Sequence, residues 1–149
     1  MIEIESRELA DIPVLHAYPV GQKDTPLPCV IFYHGFTSSS LVYSYFAVAL
    51  AQAGLRVIMP DAPDHGSRFS GDAARRLNQF WQILLQSMQE FTTLRAAIAE
   101  ENWLRDDRLA VGGASMGAMT ALGITARHPT VKCTASMMGS GYFLSLIHI

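Results

Sequence analysis

Ser115 is the residue of this chain best placed to do covalent chemistry. It stands in Gly113-Ala114-Ser115-Met116-Gly117, after the apolar run Leu109-Ala110-Val111 and before a small-residue stretch with helical spacing. A serine hydroxyl is a weak nucleophile at neutral pH. Acyl transfer needs it exposed on a sharp turn, next to a base, with hydrogen-bond donors facing the developing oxyanion. Gly-x-Ser-x-Gly between a strand and a helix is the sequence form of such a turn. A side chain two residues before or after the serine would collide with the facing turn, which accounts for Gly113 and Gly117. Met116 then presents its backbone N–H at the start of the helix, where negative charge is stabilised. The competing reading is a glycine-rich turn that only lets a helix pack closely on a strand.

An oxyanion needs a second donor. His34-Gly35-Phe36 follows the apolar run Cys29-Val30-Ile31-Phe32-Tyr33, and Gly35 lets the backbone turn so that the Phe36 N–H can face the serine. His34 itself is expected to fix this loop rather than to act as a base. His65 lies in Asp61-Ala62-Pro63-Asp64-His65-Gly66. The plain reading there is a loop whose Asp and His side chains bond their own backbone. A metal site is disfavoured, because no second His or Cys stands at ligand spacing. A triad of Ser115, His65 and Asp61 or Asp64 on one rim is a minor alternative. After Ser115 the chain has no Asp or Glu, and its only histidines are His128 and His148. His128 precedes Pro129 and fits a helix C-terminus. A complete Ser-acid-His set of the usual order is therefore absent.

The elements that must position these residues are legible as alternating patterns. Residues 2–8 and 12–18 read as two strands joined by a tight turn, with Pro13 suggesting an edge. A Pro- and Gly-punctuated loop leads to the strand at 29–33. A helix is expected from about Leu41, with Val42, Tyr45, Phe46, Ala49, Leu50 and Ala53 on its apolar face, a serine as N-cap and Gly54 as the stop. The strand 56–60 follows, then one long helix over about 72–100 with a stripe from Leu77 to Ile98. The 101–107 segment turns the chain into the strand before Ser115. The helix after Ser115 stops at Pro129, and 131–139 reads as one more strand. Two opening strands and then βαβαβαβ imply one domain with a mostly parallel sheet and helices on both faces. In such sheets reacting groups lie beyond the carboxyl ends of the strands. The loops at His34, His65 and Ser115 should therefore share one rim.

Of the 149 residues, 50% are hydrophobic and 16% charged, with a net charge of −2. That is a globular composition with no basic footprint for nucleic acid. No secretory leader and no membrane-spanning run is recognisable. Cys29 and Cys133 each sit in an apolar run and read as buried free thiols of a reducing compartment. A cytoplasmic, soluble protein is expected; nothing in the sequence specifies an oligomeric state.

The three loop motifs together, each following a strand, resemble those of the α/β-hydrolases. The likeness is strongest to small bacterial carboxylesterases of the dienelactone-hydrolase and prolyl-oligopeptidase-like branch, and it runs from Met1 to about Phe143. It implies an α/β-hydrolase domain over residues 1–143 that cleaves short-chain carboxylic esters through an acyl-enzyme on Ser115. Phe36 and Met116 would be the oxyanion donors, the substrate a small acyl ester, and no metal or organic cofactor would be needed. A peptidase or thioesterase on the same fold is the alternative, as is a non-catalytic α/β domain. The family places its acid and then its histidine after later strands, and domains of this kind commonly run to ~250 residues. The expectation is therefore an amino-terminal part with about six strands, the last strands missing, and weak or no activity on its own. Leu144-Ser145-Leu146-Ile147-His148-Ile149 would be a non-native tail.

Overall fold

The structure, a computed structural model, describes residues 1–137. Strands β1 (Ile2–Leu9) and β2 (Ile12–Pro19) form a hairpin whose two-residue turn, Ala10 and Asp11, has positive φ at both positions, the geometry that matches strand twist. Then come β3 (Leu27–Tyr33), α1 (Ser44–Gln52), β4 (Arg56–Pro60), α2 (Ala73–Leu77), α3 (Phe80–Glu100), β5 (Leu104–Ala114), α4 (Met116–Arg127) and β6 (Cys133–Met137). They build one sheet in the order β1-β2-β4-β3-β5-β6. β1–β2 and β2–β4 pair antiparallel, while β3–β4, β3–β5 and β5–β6 pair parallel. This is the mostly parallel sheet that the sequence implies.

Alternation along the central strands divides their side chains between two cores. Cys29, Ile31 and Tyr33 join Ile58, Val111 and the inner faces of α3 and α4. Phe32, Val57, Met59 and Ala114 turn the other way, onto Ala47 and Ala51 of α1. Helices therefore cover both faces, and the unbroken apolar runs of β3 and β4 are what a doubly covered strand requires. Small residues let α4 lie close to α3: a Cβ on Gly123 would come within 2.6 Å of the Met88 sulfur. Arg56 is wholly buried at the start of β4. Its guanidinium donates to the carbonyls of Gln22, Thr25 and Trp103 and to His16 Nε2, and lies 4.8 Å over the Trp103 ring. The Pro- and Gly-rich loop before β3 is thereby fastened to the core.

Several elements differ from the sequence reading. β2 is interior, not an edge. Pro13 is tolerated because it precedes the β2–β4 register, which begins at Val14, and its carbonyl accepts the Asp61 N–H. α1 starts at Ser44 rather than near Leu41. Two tight turns, Tyr43 N–H to Ser40 O and Ser44 N–H to Leu41 O, come first, and Ser39 Oγ accepts from Val42 N–H, so the serine caps the turn rather than the helix. The buried face of α1 is consequently Ala47 and Ala51, and Val42 and Tyr45 are exposed. The expected long helix is two. The Asn78 side chain donates to the Ala74 carbonyl as α2 ends, and the chain restarts at Phe80, leaving Leu77 exposed. Asp72 caps α2 by accepting the Arg75 N–H. β5 begins early, at Leu104, with Asp106 and Asp107 in the left-handed region where its pairing to β3 shifts register. Cys29 is buried, its thiol pushed up to about 12 by desolvation, whereas Cys133 is exposed on β6, where it lines an open cavity with Phe32, Phe46 and Leu50. Residues 138–149, including the expected tail at 144–149, lie outside the described residues.

Candidate active site

The strand order reverses direction beside β3. The chain leaves β3 for β4 on one side, then crosses back to place β5 on the other. A crevice outside the carboxyl ends of β3 and β5 is where such sheets bind ligands, and Tyr33 pairs with Gly113 at that end. The loop after β3 and the turn after β5 are therefore neighbours by topology.

Ser115 occupies that turn with φ 56 and ψ −117 and is exposed, whereas the residues on both sides of it are buried. The conformation is one that L-residues avoid, and it persists because the surroundings over-determine it. Both flanking glycines are required by contact. A Cβ on Gly113 would lie 2.2 Å from the Gly117 carbonyl oxygen, and one on Gly117 would lie 2.0 Å from the Tyr33 oxygen. These are backbone atoms that cannot move aside. A Cβ on Gly35 would sit 3.6 Å from the Ser115 Cβ and 3.1 Å from the Tyr43 hydroxyl, so the loop after β3 passes directly beside the serine.

Phe36 and Met116 carry the backbone donors singled out in the sequence. Neither N–H has a hydrogen-bond acceptor among the described residues. Their neighbours are engaged: Thr37 N–H with His65, Ser38 N–H with the Gly35 carbonyl, and Met119 N–H with the Ser115 carbonyl. The Phe36 ring meets Phe80 edge-on at 5.0 Å, so the start of α3 forms one wall of the rim.

His34 and His65 are both buried and both fully hydrogen-bonded. His34 donates from Nδ1 to the Gly35 carbonyl (2.8 Å) and accepts the Ala62 N–H at Nε2 (3.0 Å). His65 donates from Nδ1 to the Pro63 carbonyl (2.9 Å) and accepts the Thr37 N–H at Nε2 (2.8 Å). Desolvation holds both imidazoles below the ordinary histidine range, His34 at about 4. Asp61 accepts from the Ser40 N–H and from the Ser67 N–H and hydroxyl. Burial would raise its carboxyl, but these bonds outweigh it and the net shift is downward. The loop after β4 thus grips the loop after β3 at three points. The sequence reading anticipated the bond from His65 to its own backbone and missed the bonds across. The alternative triad fails here, since His65 and Asp61 spend their polar atoms on these loops.

His128 caps the end of α4, its ring tilted against Phe91 with centroids 4.8 Å apart. It is a helix length from Ser115, about 18–20 Å at 1.5 Å per residue. Among the described residues no group of three or more His, Cys, Asp or Glu could hold a metal ion, and no free acid–base pair stands beside Ser115.

The family model described as serine aminopeptidase, S33, matches residues 24–144. The chain belongs to this hydrolase family. Esterase YjfP of Escherichia coli (strain K12) is 98% identical over 146 residues, covering 98% of this chain and 59% of YjfP. YitV of Bacillus subtilis (strain 168), also named as an esterase, is 34% identical over 147 residues, covering 98% of this chain and 58% of YitV. A solved structure from Klebsiella pneumoniae, described as a dienelactone hydrolase, superposes with a TM-score of 0.79 at 19% identity, covering 94% of this chain and 61% of that one. The fold is that of the α/β-hydrolases. The chain spans less than two thirds of the length of each of these relatives.

Proposed function

We propose that this chain carries the nucleophile and oxyanion side of a carboxylesterase site. The observation that carries the reading is the pairing of an exposed, strained Ser115 with two unengaged backbone donors, Phe36 and Met116, on the loops that flank it. Ser115 Oγ would add to the carbonyl carbon of a short acyl ester while its proton leaves to a base. The carbonyl oxygen becomes an oxyanion held by the Phe36 and Met116 N–H groups and by the positive end of α4. Collapse expels the alcohol, and water repeats the sequence on the acyl-serine, releasing the acid. The base and its orienting carboxylate are not supplied by residues 1–137. In subtilisin, loss of the histidine alone costs on the order of 10⁶ in kcat, so residues 1–137 by themselves should turn over feebly. The free cysteines fit a reducing, cytoplasmic setting.

The test is covalent. A fluorophosphonate probe applied to a full-length protein that carries this segment, such as YjfP at 98% identity over 146 residues, should modify the serine of the Gly-Ala-Ser-Met-Gly turn. Peptide mass spectrometry locates the label, and Ser115→Ala in that protein should abolish it. Absence of label at Ser115 would overturn the reading. The family description also favours a peptidase reading. Residual turnover of an amino-acid anilide above that of p-nitrophenyl butyrate, lost in Ser115→Ala, would transfer the assignment from ester to peptide.

A further inference from the structure

We propose that His34 and His65 are positioning residues for the oxyanion donor, each ring holding one of the two peptide planes that flank Phe36 so that its N–H is aimed at Ser115. The inference rests on the roles proposed above for Ser115 and Phe36.

The first plane joins Gly35 to Phe36. In a trans peptide the C=O and N–H point to opposite sides. His34 Nδ1–H holds the Gly35 oxygen at 2.8 Å, which turns the Phe36 N–H away from the buried ring. The second plane joins Phe36 to Thr37, and its N–H is held by His65 Nε2 at 2.8 Å. With both planes fixed, Phe36 has little torsional freedom left. Thr37 sits at φ 65, a conformation costly for a β-branched residue; the bond to His65 is what offsets that cost.

The rings are themselves anchored at their second nitrogens, by the Ala62 N–H and the Pro63 carbonyl. A carbonyl only accepts and an amide N–H only donates. Both histidines are therefore neutral with the proton on Nδ1, one fixed tautomer each. They lie 5.2 Å apart, at 2% and 0% exposure, so neither can reach a substrate and act as a base. Their reach crosses between loops in both directions: His34 of the β3 loop takes a donor from the β4 loop, and His65 of the β4 loop takes one from the β3 loop. Such a reciprocal brace keeps a donor preorganised, which is where oxyanion stabilisation gets its strength.

Nuclear magnetic resonance on the isotope-labelled chain tests the brace. Both rings should be protonated at Nδ1 only, with nitrogen–nitrogen couplings through the hydrogen bonds from Thr37 to His65 and from Ala62 to His34. A ring protonated at Nε2, or missing couplings, overturns the proposal. The rate of Ser115 phosphonylation, measured in the full-length protein that supplies the base, tests the aim. His65→Leu should slow it about tenfold or more, since one oxyanion donor is worth on the order of 10²–10³. His65→Gln, which restores an acceptor for the Thr37 N–H, should return it to within about threefold. Should His65→Leu fail to fold, His65→Asn takes its place, being polar but too short to accept from Thr37. A Leu or Asn variant labelled as fast as the parent overturns the proposal. No label on the parent's Ser115 overturns the esterase reading and this inference with it, whereas loss confined to the variants supports both.

Discussion

Ser115 holds its hydroxyl out by adopting a backbone conformation that favours glycine. The Cβ is the origin of that cost, at about 1–2 kcal/mol. Replacing serine by alanine removes the hydroxyl and keeps the Cβ; replacing it by glycine removes both. Ser115→Gly should accordingly unfold in urea at a free energy about 1 kcal/mol above that of Ser115→Ala, with neither variant labelled by the probe. Equal stabilities would mean that the turn stores no strain at this residue. The same logic runs in reverse at Gly113 and Gly117, where the missing Cβ atoms are required by the backbone oxygens they would strike. Function at this position is therefore held at the expense of local stability, by neighbours that leave the chain no relaxed alternative.

At the scale of elements, the loops after β3 and β4 behave as one unit. Asp61, Ala62 and His65 on one side meet Ser40, His34 and Thr37 on the other. Gly66 is where that unit is least tolerant. Its φ is +54, and a Cβ there would lie 2.5 Å from the Asp61 carboxylate. Gly66→Ala should cost about 2 kcal/mol or more in urea unfolding, from left-handed strain together with overpacking. It should also slow labelling of Ser115 by displacing Asp61 from the Ser40 N–H. A stability change below about 0.5 kcal/mol, with unchanged labelling, would show that the two loops are independent. The sequence made part of this unit visible. Gly113, Ser115 and Gly117 could be placed because each answers to its own turn, and β3 and β4 because a doubly buried strand has an unbroken apolar run. The bonds from His65 to Thr37 and from Asp61 to Ser40 join residues 28 and 21 positions apart, and nothing in either segment alone encodes the other. The break between α2 and α3 was hidden for a different reason. Leu77 kept the helical spacing of the stripe, so the periodicity ran on through a point where the Asn78 side chain competes for the backbone. Arg56 was likewise unreadable, because its burial depends on carbonyls from a loop more than thirty residues earlier.

Over the whole molecule, buried neutral histidines recur from the sheet to the rim. His16 in β2 donates from Nδ1 to Glu5 and accepts from Arg56 at Nε2, and His34 and His65 close the loops. Burial is the largest cause in all three, and it pulls His16 and His34 down from 6.5 to about 4. A histidine with a lowered folded value binds its proton more readily when the chain is unfolded. Between the ordinary value and the folded one, the unfolded state holds more protons, so stability rises with pH across that window. Read downward, the free energy of unfolding should hold near neutrality, decline from about pH 6.5 and keep falling to about pH 4, by up to about 1.4 kcal/mol per pH unit for each histidine. Asp61 acts in the same direction but later. Its lowered carboxyl contributes above its ordinary value of 3.8, and the contribution is lost only as pH falls through the folded value beneath that. Two limbs are therefore expected in a plot of unfolding free energy against pH, a histidine limb and a more acidic carboxylate limb. Urea titrations at half-unit steps from pH 7.5 to 4 would resolve the first. A profile that stays flat from pH 6.5 to 4 would mean that these rings take up protons in the folded chain as easily as in the unfolded one, and the neutral hydrogen-bonded arrangement that ties the sheet to the rim would then be wrong.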